Sequence, residues 1–60
     1  MRTANVETGK IYYFGWKQTP NTVIAVGAPY ADGAVPVTLK GPRGGEFQAT
    51  VSVDGKCRKH

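Results

Sequence analysis

Apolar and polar residues alternate with a period of two in residues 35–40 and again in residues 46–53, with the apolar side chains at odd positions. Such alternation is typical of strands that have one buried face and one face in water. Between them, residues 41–45 (Gly-Pro-Arg-Gly-Gly) combine a proline that presets one backbone angle with glycines that allow positive φ. The pattern predicts a tight antiparallel hairpin, which forms the frame of the fold.

The hydrophobic pattern also predicts the register of this hairpin. Pairing Lys40 with Glu46 places the apolar residues of both strands on one face. The pairs that follow are Leu39 with Phe47, Val37 with Ala49, and Val35 with Val51. A slip of one residue would turn the apolar side chains of one strand into water, so we expect this register to be strongly specified.

An aromatic run begins at Ile11 and is rich in the residue types that favour strands. In an extended strand successive side chains point to opposite faces. The two faces are then Ile11 and Tyr13 on one side, and Tyr12, Phe14 and Trp16 on the other. A sheet with one core cannot bury both sets, so either the strand is covered on two sides or part of an aromatic set is left for a partner.

The remaining segments alternate between strand and turn signals. Residues 18–21 contain proline and asparagine and predict a turn, whereas residues 22–27 form a nearly continuous apolar strand. Asp-Gly pairs in residues 28–34 and at positions 54–55 mark two further turns. Residues 1–5 carry no pattern and are expected to be a frayed lead-in, and residues 56–60 either add a last short strand or hang free.

These elements predict an all-β fold of four to five short antiparallel strands. The chain has 60 residues, with eight glycines, four prolines and no helical periodicity, and we interpret residues 1–60 as one domain. A chain of this length buries only about 60% of the surface its unfolded form exposes, so its core is small. Closure into a small barrel would remove exposed strand edges, and a twisted open sheet is the second choice.

The order of elements resembles an SH3-like small barrel. The residues that carry the resemblance are a Val-Glu-Thr-Gly-Lys lead at positions 6–10, a loop, the apolar strand at 22–27 and the terminal hairpin. The resemblance implies a binding module without naming its ligand. The acidic loop and paired aromatics of SH3 domains that bind proline-rich peptides are not evident. A short, basic chain of this kind is also similar to the small orphan proteins of bacteriophages.

Composition narrows the function class. The formal net charge of +4 favours acidic partners, above all the phosphates of DNA or RNA. The single cysteine, Cys57, cannot form an internal disulfide, and no apolar run approaches a membrane span, so we expect a cytoplasmic protein. With one histidine, one cysteine and four scattered carboxylates, no catalytic group or metal site can be assembled, and we expect no enzyme activity and no cofactor.

The aromatic run is the most suggestive candidate site. Rings that stack on bases and cations that follow phosphates are the means by which proteins hold single-stranded nucleic acid, and a strand presenting Tyr12 and Trp16 outward beside Lys10 and Lys17 would supply both. The alternative is that the rings fill the core, which a chain with six aromatic residues needs. Both interpretations remain open from the sequence alone.

Two further basic segments join this hypothesis. Arg43 lies at the tip of the 41–45 loop, a candidate phosphate-contacting loop that lacks the lysine and hydroxyl of a P-loop. The alternative, and the one that its composition favours, is a loop that serves hairpin geometry alone. The tail holds several cations that add salt-dependent attraction or are simply solvated. The residues assigned to nucleic-acid binding are Lys10, Tyr12, Trp16, Lys17, Lys40, Arg43 and Arg58. The alternative is a protein-interaction module, either a homodimer or a phage-type modulator of a host protein.

Overall fold

The structure, a computed structural model, describes residues 3–60 and contains one antiparallel sheet of five strands. The strands are β1 (Ile11–Phe14), β2 (Thr19–Val26), β3 (Val35–Lys40), β4 (Glu46–Val51) and β5 (Cys57–Lys59). They neighbour each other in chain order, and the sheet curls into a nearly closed barrel. The prediction of an all-β fold is confirmed, and the architecture is compatible with an SH3-like barrel.

The predicted hairpin is confirmed residue by residue. β3 and β4 pair with Lys40 opposite Glu46, and Leu39 lies opposite Phe47. The apolar side chains of both strands face the same interior, in which Leu39 and Ala49 are fully buried. Because the register follows from the side-chain pattern and from the turn that joins the strands, the local sequence was sufficient to specify it.

Three tight loops share one geometry, in which a turn ends at a glycine with positive φ. In the β3–β4 loop Gly44 donates its N–H to the Gly41 carbonyl (3.0 Å), and Gly41 donates to the Gly45 carbonyl (2.9 Å). Gly33 and Gly55 occupy the equivalent positions in the other two loops, also with positive φ. Each follows an aspartate whose side chain accepts a backbone N–H two residues further on. The two predicted Asp-Gly turns are therefore confirmed.

β2 departs from the sequence prediction at both its start and its middle. It begins at Thr19, so residues 19–21 are strand and not turn. Pro20 is tolerated because β2 pairs with β3 only from Thr22 onwards. The N–H that Pro20 lacks is therefore not needed for a hydrogen bond to β3. Ile24 is the extra residue of a β-bulge between Val23 and Ala25. The bulge shifts the alternation of β2 by one residue, because Val23 pairs with the buried Leu39 and Val26 with the buried Val37. Ile24 itself is exposed.

Segments near both ends of residues 3–60 pack onto the barrel. Ala4 is buried against the barrel core and donates its N–H to the Gly33 carbonyl (2.8 Å). The expected frayed lead-in is therefore wrong for Ala4, and Met1 and Arg2, which belong to the same expectation, lie outside the described residues. At the other end the tail forms β5 against β4, so of the two alternatives for this segment the short strand is correct.

Candidate functional site

The antiparallel connectivity brings two loops, and most of the candidate cations, to one end of the barrel. Neighbouring strands alternate in direction, so the β1–β2 loop (residues 15–18) and the β3–β4 loop (residues 41–45) lie at the same end. This basic end carries three cations, Lys17, Lys40 and Arg43, against one carboxylate, Glu46. All four of these residues are exposed.

The opposite end of the barrel has the opposite balance of charge. Its loops contain Asp32 and Asp54 together with a single cation, Lys56. Both carboxylates are engaged in capping backbone N–H groups of their own turns, at 3.0 and 3.1 Å. The two ends of the barrel therefore differ in charge: cations outnumber carboxylates where the β1–β2 and β3–β4 loops lie, and carboxylates outnumber cations in the loops at the other end.

Trp16 occupies the β1–β2 loop and is 88% exposed. β1 ends at Phe14, so the prediction that Trp16 continues the strand face of Tyr12 is wrong. The loop is held by a 3.1 Å bond from the Gln18 N–H to the Gly15 carbonyl, and Gln18 itself takes a positive φ of 52°. The ammonium of Lys17 lies 5.2 Å from the centroid of the indole. Water-exposed indoles are unusual on a small domain, and here one stands beside a cation.

Tyr12 lies against the core of the barrel and not on its surface. Its side chain packs against the barrel core, and the ammonium of Lys10 lies 5.4 Å from its ring centroid. Of the two interpretations left open for Tyr12, packing against the core is the one found, because the alternate residues of β1 turn Tyr12 and Phe14 inward. The outward positions are taken by Ile11 and by Tyr13, which is 58% exposed. Of the two alternatives for this strand, cover on both sides is not found within residues 3–60, where Ile11 and Tyr13 stay exposed.

Lys10 and Arg58 are not brought to the basic end. The Lys10 carbonyl accepts the Val23 N–H (2.8 Å), so Lys10 lies beyond the start of β1, on the side away from Trp16. Arg58 lies opposite Thr50 on β5. Both side chains are exposed, but the structure unites only four of the seven predicted residues at one end: Trp16, Lys17, Lys40 and Arg43.

A cleft opens at the seam, by which we mean the gap between the edge strands β1 and β5. The rings of Phe14 and Phe47 meet there edge to face, with centroids 6.0 Å apart. The ammonium of Lys59 lies 4.9 Å from the Phe47 centroid. The cleft encloses about 470 Å³, and its lining is completed by Gly15, Thr19 and Asn21.

Sequence reasoning missed this cleft because it depends on how the sheet curls. Phe14 and Phe47 belong to strands that are not neighbours in the sheet, and Lys59 was assigned only to a basic tail. Alternation along β4 and β5 does carry a partial signal. Lys59 pairs with the buried Ala49, so it takes a core-facing position in its strand, where a lysine is exceptional.

Other chemical groups offer less. Among residues 3–60, no group of histidine, cysteine and carboxylate side chains is placed to hold a metal ion. Over the same residues there is no helix that could span a membrane.

Cys57 is half-buried, and this burial raises the pKa of its thiol, because desolvation disfavours the thiolate. The Cys57 thiol is therefore a weak nucleophile at neutral pH.

Fold and site together define a small all-β barrel that is basic at one end, where an exposed tryptophan stands beside a lysine. Comparisons with protein-family profiles, with curated proteins and with solved structures found no match to this chain. Function is therefore inferred from the geometry and charge of the barrel itself.

Proposed function

We propose that this protein binds nucleic acid through the basic end of its barrel. The observation that carries the proposal is Trp16, a large flat ring that is 88% exposed and that stands beside the ammonium of Lys17. An indole that stays in water adds no apolar surface to the small core of this chain. A partner that covers the ring is therefore the simplest reason for its position. Nucleobases stack on such rings whatever their sequence.

The distribution of charge supports the same ligand. Lys40 and Arg43 accompany Lys17 at this end, while two of the four carboxylates lie at the other end and cap their own turns. Cations grouped in this way attract phosphates, and their counterions are released on binding. The SH3-like resemblance is consistent with a binding module of this kind and adds nothing about the ligand. Lys10 and Arg58 lie away from this end and are outside the proposal.

Trp16 provides a direct test, because it is the single tryptophan of the chain. Titration with an oligonucleotide at low salt should quench its emission, and the logarithm of the affinity should fall linearly with the logarithm of salt concentration. Replacing Trp16 by alanine should weaken binding, measured by anisotropy of a labelled oligonucleotide, by about 5- to 150-fold, the equivalent of about 1–3 kcal/mol for one stacked base.

Tyr30 supplies the matched control for Trp16→Ala. It is another exposed ring, 49% exposed, but it lies in the β2–β3 connection at the opposite end of the barrel. Tyr30→Ala should leave the affinity unchanged. If neither DNA nor RNA binds at low salt, or if the two variants lose affinity equally, the basic end is not the nucleic-acid interface.

The outer face of β1 favours a second candidate, a protein-interaction surface. Ile11 and Tyr13 are both largely exposed on a strand that pairs with only one neighbour within residues 3–60. A second copy of the chain or another protein could cover them and add a strand to this edge. Sedimentation equilibrium without nucleic acid should then show mass rising with concentration, and Tyr13→Ser should abolish the rise. A constant monomer mass would rule out self-association through this face.

A further inference from the structure

We propose that the seam cleft receives one unpaired nucleobase, so that the ligand of this barrel is a single strand and not a duplex. This inference rests on the proposed function and adds to it the class of nucleic acid that is bound. Three features of the cleft support the inference: its lining, the lysine at its rim and its connection to Trp16.

The lining of the cleft suits a flat heterocycle. Phe14 and Phe47 line the cleft with their planes inclined at 73°, so a flat base can stack on one ring and meets the other at an angle. Asn21 adds a polar group that is only 5% exposed, an unusual residue to find in so small a core. Its amide donates one hydrogen bond, to the Thr19 carbonyl at 2.9 Å, and within residues 3–60 its oxygen accepts none. Asn21 lines the cleft, where an amide acceptor would match the donor groups on the edge of an unpaired base.

Lys59 supplies the charge that a nucleotide requires. Its ammonium lies over Phe47, at the rim of the cleft, although Lys59 takes a core-facing position on β5. A base that enters against the two rings brings its own backbone phosphate to this rim. The combination of ring surface, amide and ammonium is therefore complementary to a nucleotide, whereas a purely apolar ligand would use neither the amide nor the ammonium.

The cleft is continuous with the tryptophan loop. Gly15 lines the cleft and directly precedes Trp16, so a strand with one base in the cleft can place an adjacent base on the indole. The β3–β4 loop adjoins the same region, since a Cβ atom on Gly41 would lie 3.2 Å from the Asn21 side-chain oxygen. A base in a duplex reaches such a cleft only after it is unpaired and unstacked, and this cost favours single strands.

Three ligands of equal length test the inference: an eight-nucleotide oligothymidine, a duplex of eight base pairs, and an eight-residue abasic strand, each labelled and titrated at low salt. We expect the oligothymidine to bind about tenfold more tightly than the other two, because only it offers free bases. Lys59→Met keeps an apolar stem over Phe47 and removes the charge, so it should reduce the salt dependence of oligothymidine binding by about 0.7 in slope. Lys56→Met, at the opposite end, is the matched control and should change nothing.

Asn21→Asp gives an independent variant of the same shape, with a negative charge in the cleft. It should lower oligothymidine affinity by about tenfold, the scale of one stacked base, while duplex affinity stays nearly constant. Circular dichroism melting checks that each variant is folded. Equal binding of the oligothymidine and the duplex, with Lys59→Met behaving like Lys56→Met, would overturn the single-strand inference. A loss of affinity in Trp16→Ala under the same conditions would show that the proposed function still stands. Absence of binding to every ligand would overturn both.

Discussion

Replacing Leu39 by alanine should remove most of the stability of this barrel. Leu39 is fully buried and belongs with Val23 and Val51 to the largest side chains sealed in the core. Truncating a buried leucine costs about 2–5 kcal/mol, because apolar contacts are lost and a cavity remains. A 60-residue domain has a total free energy of unfolding of only about 3–9 kcal/mol. We therefore expect a variant that is largely unfolded, or whose melting temperature falls by about 4–8 °C for each kcal/mol lost.

Circular dichroism is the measurement that suits Leu39→Ala. Tryptophan emission would be a poor probe of unfolding, because Trp16 is already 88% exposed in the folded chain. Ile24→Ala is the matched control, since Ile24 is the exposed bulge residue of β2 and should cost less than about 1 kcal/mol. A loss below 1 kcal/mol for Leu39→Ala, or equal losses for the two variants, would contradict the position of Leu39 at the centre of the core.

The β3–β4 hairpin was predictable because all of its determinants are local. Alternation fixes which side chains face inward, and the glycine-rich loop fixes how the strands meet, so Leu39 could be placed opposite Phe47 from the sequence alone. The Asp-Gly turns were predictable for the same reason, since Asp32 and Asp54 cap their own loops. In each case the sequence signal and the structure it specifies lie within one hairpin or one turn.

β1 and β2 were harder to predict because tertiary context overrides their local signals. Pro20 indicates a turn by composition, yet it stands in β2 where no third strand needs its N–H. The turn that does occur contains Trp16 and Lys17 and ends at Gln18, a non-glycine residue with positive φ, so only Gly15 marked it. The bulge at Ile24 then reverses the alternation of an apparently regular strand.

The candidate site was partly visible in the sequence, but its assembly was not. An excess of cations and a cluster of aromatic residues identified Trp16 and Lys17. Which cations share one end depends on strand direction, and this dependence separates Lys10 and Arg58 from the group. The cleft at the seam depends further on the curl of the sheet, because it joins side chains from β1, β4 and β5.

Reversing the charge of the basic end should produce the largest loss of nucleic-acid affinity. The triple variant Lys17→Glu, Lys40→Glu and Arg43→Glu removes three cations that point to solvent and adds three carboxylates. If each cation contacts one phosphate of a single strand, the slope of log affinity against log salt should fall by about 2. Over the twentyfold range between 50 mM and 1 M salt, a slope of 2 corresponds to about 400-fold in affinity. We expect a loss of at least this size at 50 mM salt.

A control with the same change in net charge separates local contacts from the overall field. The chain offers three exposed cations away from the basic end, Lys10, Lys56 and Arg58, which can be changed to glutamate together. Both triple variants lower the formal net charge from +4 to −2. Long-range attraction alone would weaken binding equally in the two, because it depends on total charge. If phosphates contact the basic end directly, the first variant should lose far more affinity and salt dependence than the control in anisotropy titrations. Equal losses in the two variants would mean that the nucleic acid binds elsewhere on the barrel.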